Sequence, residues 1–110
     1  MKVLPLFSIA ILITSIAANV ANSANAAEKE VSQLNKTFSA KELKIKKGDS
    51  VSFPNHDPFF HNVFSLSPTK TFDLGSYPSG ETRKVTFDKP GTVEVECAIH
   101  PHMHMTITVE

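Results

Sequence analysis

The chain has 110 residues, in which 11 lysines and arginines are balanced by 11 aspartates and glutamates, and it contains a single cysteine. The balanced charge and the lack of a basic run argue against nucleic acid as a partner, and one cysteine excludes an internal disulfide. Because a domain this small often depends on a disulfide or a metal for its stability, the composition favours a bound metal.

The N-terminal residues have the pattern of an export signal. Lys2 gives a positive start, residues 3–18 are almost wholly apolar, and Ala24-Asn25-Ala26 supplies the small residues that a signal peptidase recognises. The apolar run is shorter than the about 20 residues that a membrane span needs, and no cysteine stands directly after it to carry a lipid. We predict a signal peptide over 1–26, cleavage near Ala26, and one periplasmic domain over 27–110 without a membrane anchor.

The first half of this domain alternates apolar and polar residues, which is typical of half-buried strands. Residues 28–36 are polar apart from Val31 and Leu34 and are predicted to be a loose arm or an edge strand. Strands are predicted around 43–45 and 51–53, joined as a hairpin, and again over 61–66. Residues 67–80 contain two prolines and two glycines and are predicted to be a long irregular connection.

The second half continues the same alternation. Strands are predicted over 83–87, over 92–97 and at the C-terminus, and no segment shows a sustained helical period. Short alternating strands separated by turns indicate an all-β fold, and we predict a Greek-key β-sandwich with a metal site in the loops at one end. The core-facing residues of the last two strands are Val93, Val95, Cys97, Ile107 and Val109.

Side chains that bind metals are concentrated at residues 97–103. Cys97 offers a thiolate, His100 an imidazole and Met103 a thioether. Soft sulfur beside imidazole suits copper, and two histidines, one cysteine and a weak axial methionine describe a blue-copper electron-transfer site. The second histidine must come from elsewhere in the chain, and His61, at the start of a predicted strand, is the candidate. The pattern therefore predicts one type 1 copper ion.

These residues, with turns at 48–49 and 89–91 and a closing strand, resemble the cupredoxins, the plastocyanin, pseudoazurin and amicyanin group. The resemblance covers nearly all of the predicted domain, and the ligand spacing is its specific part. It implies that His61, Cys97 and His100 are the equatorial copper ligands. It also implies that the backbone N–H of Asn62 approaches the cysteine sulfur and that the Asn62 side chain ties the two loops together.

The axial ligand has two candidates. Met103 has the short spacing of amicyanin-like loops, whereas Met105 has the longer spacing of plastocyanin. We expect Met103, because residues 103–110 then supply the closing strand that follows the methionine in the short-loop pattern. His102 competes with His100 through an azurin-like spacing, but neither methionine matches the place that this spacing requires.

The resemblance also implies how the protein works with partners. His100 is expected to reach the surface as the electron port, at an apolar patch for which Ile99, Pro101 and Met105 are the candidate lining. Transient redox partners are expected, namely a periplasmic oxidoreductase such as an amine dehydrogenase and a c-type cytochrome. The protein itself is expected to be a monomer.

Other functions are also considered. The His- and Met-rich residues 100–105 suit a periplasmic copper carrier or storage protein. Cys97 by itself would suit a buried thiol or a nucleophile, but an enzyme is not expected because no oxyanion loop or paired acid is visible. His56, His102 and His104 receive no assignment, and Asp57 is interpreted as an isolated carboxylate.

Overall fold

The chain forms strands throughout the part that a computed structural model describes, which comprises residues 2–3 and 26–110. The predicted signal peptide lies almost wholly outside those residues and stays a prediction. Within them, no helix is long and apolar enough to cross a membrane. The strands are β1 (Glu28–Glu30), β2 (Gln33–Leu34), β3 (Thr37–Phe38), β4 (Glu42–Ile45), β5 (Ser50–Pro54), β6 (His61–Ser65), β7 (Phe72–Tyr77), β8 (Thr82–Thr86), β9 (Gly91–Cys97) and β10 (His104–Val109).

Two sheets enclose one hydrophobic core. The larger sheet has the order β4-β10-β9-β6-β7 and the smaller one the order β1-β5-β8, while β2 and β3 form a separate hairpin. The β1–β5 and β4–β10 pairs are parallel, and the other strand pairs are antiparallel. Connections that cross between the sheets produce this non-consecutive order. The predicted all-β sandwich is confirmed.

The alternation in β9 fixes where the cysteine lies. Val93, Val95 and Cys97 are buried, whereas Glu94 and Glu96 on the other face are half-buried. Burial of each valine side chain contributes roughly 1.5–3 kcal/mol. A slip of one residue would turn this whole apolar face outward, so the register is strongly specified. The core therefore holds Cys97 on the inner face at the end of its strand.

The predicted hairpin between residues 43–45 and 51–53 is wrong. β4 pairs with β10 in the larger sheet, whereas β5 pairs with β1 and β8 in the smaller one. The turn between them is a corner, in which Gly48 has a φ of +94° and the Asp49 carboxylate accepts the Lys46 N–H at 2.9 Å. The two strands were located correctly, but a tight turn also permits the second strand to enter another sheet.

Strand β7 lies inside the stretch that was predicted to be irregular, which is a second correction. It forms the edge of the larger sheet beside β6, and the pairing shifts register between Asn62 and Phe64. Of its residues only Tyr77 is fully buried, and Gly75 has a φ of +70°. An edge strand with a bulged partner and little burial has no clear period of two.

The polar residues at 28–30 do form the edge strand β1, one of the two forms predicted for that segment.

Candidate metal centre

Three of the predicted ligands meet at one end of the sandwich. His61 begins β6, Cys97 ends the neighbouring β9, and His100 lies in the loop that leads to β10. The His61 Nδ1 atom is 3.6 Å from the Cys97 sulfur, and the His100 Nδ1 atom is 3.8 Å from it. The two Nδ1 atoms are 3.2 Å apart. The three donor atoms thus form a nearly regular triangle.

The size and chemistry of this triangle fit a metal ion. A point at the centre of a triangle with sides of about 3.5 Å lies about 2 Å from each corner, close to the roughly 2.0–2.3 Å at which imidazole nitrogen and thiolate sulfur bind a first-row metal. A thiolate with two imidazoles is a donor set that suits copper. The residues therefore fit the cofactor that the sequence predicts.

Burial shields two of the three donors from water, and it favours the ligating form of His100. His61 is fully buried, Cys97 is 2% exposed and His100 is partly exposed. Burial, followed by the neighbouring His61 imidazole, lowers the pKa of His100. A lowered pKa favours the neutral imidazole, which is the form that binds a metal. The partial exposure of His100 means that one edge of the site reaches the surface.

A carboxylate outside the predicted ligand set orients His61. The His61 Nε2 atom lies 2.6 Å from Asp57 Oδ2, and both side chains are buried. A ligand histidine commonly donates its second N–H to a carboxylate, which fixes the ring orientation and the tautomer. Here this contact leaves Nδ1, the atom facing Cys97, free to bind the metal. The interpretation of Asp57 as an isolated carboxylate is wrong.

The same carboxylate holds the β2–β3 hairpin against the site. Asp57 accepts the backbone N–H groups of Asn35 at 2.6 Å and Lys36 at 3.0 Å. Both turn residues have a positive φ, 55° and 57°, which is typical of the two-residue turns that join hairpin strands. Burial raises the pKa of Asp57, but the His61 contact and the two backbone donors outweigh it, so the pKa is lowered. Asp57 is therefore a buried anion with its charge satisfied.

Phe59 is a second residue whose place at the site sequence reasoning missed. Its ring centroid lies 5.3 Å from that of His61 and 5.2 Å from that of His100. The Lys36 ammonium lies 5.7 Å from the same ring centroid. Phe59 thus packs against both imidazoles and also against Lys36 of the hairpin turn. In the sequence, Phe59 and Asp57 are marked only by their position in the short loop before His61. A loop has no periodic pattern from which their contacts with the histidines could be predicted.

The strand register distinguishes the two methionines. The Cys97 N–H donates to the Met103 carbonyl at 3.3 Å, which places these residues opposite each other at the site end of β9 and β10. Met105 pairs with Val95, further along the same strands. Both methionines are buried. Met103 is therefore the methionine beside the cysteine, and Met105 belongs to the core.

Asn62 contacts the cysteine through its backbone. Its N–H lies 3.4 Å from the Cys97 sulfur, and its carbonyl accepts the Ala98 N–H at 2.9 Å. The side-chain Oδ1 atom is buried without a hydrogen-bond partner. The link between the two loops is thus made by the main chain, whereas the resemblance implied a side-chain link.

Apolar residues that flank the two candidate ligand histidines in the sequence are exposed, and the Lys36 ammonium also lies near His100. Ile99 is 48% exposed and Phe60 is 54% exposed, and Pro101 is also exposed. Met105, which was expected in this lining, is fully buried and does not contribute. The strand alternation turns Met105 into the core together with Ile107.

Comparison with known sequences identifies a family. The family described as copper binding proteins, plastocyanin/azurin family, matches residues 25–110. Amicyanin-alpha from Methylorubrum extorquens is 31% identical over 107 residues, covering 94% of this chain and 90% of that protein. The methylamine utilization protein MauL of the same organism is 34% identical over 68 residues, and the match spans 60% of MauL.

Solved structures give the same result. A reduced Cu(I) form of an amicyanin mutant at pH 4 superimposes with a TM-score of 0.70 and 26% identity, covering 82% of this chain and 88% of that one. A copper-containing nitrite reductase from Thermus scotoductus also gives a TM-score of 0.70, with 29% identity. This chain covers 22% of that reductase, so the likeness concerns one part of a larger protein.

Proposed function

Because the chain belongs to the plastocyanin/azurin family of copper-binding proteins, we propose that His61, Cys97 and His100 are the equatorial ligands of its copper ion. Met103 is proposed as the weak axial ligand. The protein is a type 1 copper electron-transfer protein like amicyanin and is not an enzyme. When bound, the copper supplies a one-electron Cu(II)/Cu(I) couple.

The donor triangle is the observation that carries this assignment. His61 and Cys97 are fixed by neighbouring strands, and Asp57 and Phe59 hold the His61 ring from its outer side. Ligands that are already in place need little rearrangement when the charge at the site changes. Such rigidity suits electron transfer, because reorganisation of the ligands would slow it.

We further propose that the protein works in the periplasm after cleavage of residues 1–26. The structure supports this boundary, since Ala27 is bound to the domain. Its N–H donates to Asp49 Oδ1 at 2.9 Å, and its carbonyl accepts the Ser50 N–H at 3.0 Å. Mass spectrometry of the exported protein is expected to give a mature chain that begins at Ala27.

The proposed partners are an amine dehydrogenase as electron donor and a c-type cytochrome as acceptor, each contacting a monomer. The name of one relative, the methylamine utilization protein MauL, supports a link to the use of methylamine. The apolar surface formed by Phe60, Ile99 and Pro101 beside His100 suits a small, transient contact.

Mixing the oxidised protein with substrate-reduced methylamine dehydrogenase should bleach its blue colour. Bleaching no faster than with substrate alone would argue against this donor.

The ligand assignment is tested by adding Cu(II) to the protein and recording visible and electron paramagnetic resonance spectra. We expect an intense blue charge-transfer band and narrow copper hyperfine splitting, both of which should be lost in Cys97→Ser. His56→Asn, which changes an exposed histidine outside the site, is the matched control and should remain blue. A pale wild-type spectrum with wide splitting would mean that the copper is bound without the thiolate.

The alternative of a copper carrier that uses residues 100–105 is not favoured. Met103 and Met105 are buried, whereas His102 and His104 are exposed. The donors of this stretch therefore face opposite sides of the molecule and cannot form one exchangeable site rich in histidine and methionine.

A further inference from the structure

The exposed half of the 100–105 stretch borders a separate groove. His102 and His104 line an open groove of about 740 Å³ together with Lys41, Glu42 and Thr106. This groove lies on the outer face of β4 and β10, whereas Met103 and Met105 point to the inner side. We propose that this groove is a second metal site, which binds a divalent transition-metal ion through His102 and His104.

His104 is held in the manner of a metal ligand. Its Nε2 atom lies 2.5 Å from Glu94 Oε2 on the adjacent strand β9. The same oxygen accepts the Thr106 hydroxyl at 3.0 Å, which fixes the carboxylate. A histidine that donates one ring N–H to a carboxylate presents its other nitrogen as a lone pair. His61 has the same arrangement with Asp57, so the chain has two histidines whose Nε2 contacts a carboxylate.

The donor atoms that line the groove indicate which class of metal it would bind. The groove offers imidazole nitrogen from His102 and His104 and carboxylate oxygen from Glu42, with no sulfur. Such nitrogen and oxygen donors suit Zn²⁺, Cu²⁺ or Ni²⁺, and do not select Cu(I). The ligand atoms of His102, His104 and Glu42 do not form a preassembled group within metal-binding distance, so the exposed side chains of His102 and Glu42 would have to change rotamer to reach an ion. The site is thus weaker and more exchangeable than the buried one.

Lys41 is the group that opposes binding. Its ammonium borders the same groove, where a cation would meet like charge. Removal of this charge therefore strengthens the site, whereas removal of either histidine weakens it. Opposite effects from neighbouring residues distinguish a defined site from general attraction of metal to the surface.

The test uses the copper-loaded protein. It rests on the proposed function in one respect, because copper must already occupy the first site, formed by His61, Cys97 and His100. Zn²⁺ is titrated by calorimetry while the blue band is followed, because copper binds more tightly than zinc and should stay in place. We expect one equivalent of Zn²⁺ to bind with the blue band unchanged. His102→Asn and His104→Asn should each weaken binding by about tenfold or more, and Lys41→Ala should strengthen it.

His56→Asn, the matched control for an exposed histidine elsewhere, should bind zinc like the wild type. A second equivalent of Cu²⁺ should give an additional resonance signal with wide splitting, which disappears in His104→Asn. The proposal is overturned if the wild type binds no zinc, or if the two groove variants bind it as well as the control does. Loss of the blue band during the zinc titration would mean that zinc displaces copper from the first site, which would also overturn the assignment of the bound zinc to the groove.

Discussion

At the scale of single residues, strand pairing distinguishes the two methionines that follow His100, although both side chains offer the same thioether donor. Met103 lies opposite Cys97, whereas Met105 lies opposite Val95 in the core. Replacing Met103 with leucine should keep the blue band and raise the reduction potential, because an apolar group in place of the thioether favours Cu(I). We expect a rise of about 59 mV, equivalent to a tenfold change in relative affinity for a one-electron couple.

Met105→Leu is the control, since it makes the same substitution at a buried position two residues away. Both exchanges nearly conserve volume and should cost less than about 1.5 kcal/mol, so both variants should fold. Cyclic voltammetry measures the potentials. A shift in Met105→Leu with none in Met103→Leu would reverse the axial assignment.

Asp57 acts through His61 and not on the metal itself. Asp57→Asn can keep an oxygen for the Asn35 N–H, but it loses the second carboxylate oxygen, which accepts the Lys36 N–H and contacts His61 Nε2, together with the negative charge. We expect copper affinity to fall by about 10–100-fold, and the reduction potential to rise because a nearby anion is lost. Copper competition titrations and voltammetry measure the two effects.

The control for Asp57 is Asp73→Asn, which removes an exposed carboxylate on β7. It should leave both the affinity and the potential unchanged. If Asp57→Asn also left both unchanged, the contact with His61 would be structural only.

At the scale of elements, one buried hydroxyl joins three parts of the sandwich. Tyr77 of β7 donates to the Phe53 carbonyl of β5 at 2.8 Å and accepts from Gln33 Nε2 of β2 at 2.6 Å. Tyr77→Phe leaves these buried groups without that partner, and it should lower the free energy of unfolding by about 1–3 kcal/mol. Denaturant unfolding at neutral pH measures the loss.

The same tyrosine gives a pH dependence with a definite sign. Burial raises the pKa of Tyr77 from 10.0 to about 12. The unfolded chain therefore loses this proton first, so the wild type loses stability as the pH rises from about 10 to 12. Tyr77→Phe should lack this part of the alkaline loss, and parallel unfolding curves of both proteins over that range check it. Equal slopes would contradict the raised pKa.

At the scale of the whole molecule, the core and not the metal specifies the fold. The described part of the chain has its hydrophobic cluster spread over both sheets, and His61 and Cys97 lie on strands of that framework. The copper-free protein should therefore stay folded, with an unchanged far-ultraviolet circular dichroism spectrum. Copper at 1,000 times its dissociation constant adds about 4 kcal/mol, which corresponds to a rise in Tm of more than about 10 °C.

Cys97→Ala is the control for this effect of copper on Tm. Without the thiolate most of the rise should disappear, since the site loses its strongest donor. A copper-free wild-type protein that is unfolded at 25 °C would contradict the view that the core alone maintains the sandwich.

Sequence patterns were sufficient to locate the strands around the site and the three side chains, His61, Cys97 and His100, that the structure brings together. Alternation is a local property, so residues 92–97 and the final strand could be assigned correctly, with Cys97 facing inward. The proximity of Cys97, His100 and Met103 could also be predicted from the sequence, because all three lie in one short loop or at the strand ends beside it.

The pairing of the strands and the surroundings of His61 became apparent only in the folded structure. The corner at Gly48 sends β5 into the other sheet, and the hairpin turn at Asn35 reaches Asp57 from a distant part of the chain. Neither contact leaves a periodic signal, because each depends on where separate segments meet after folding. The separation of Met103 from the groove beside His102 and His104 likewise follows from strand pairing, which sets the faces of β10.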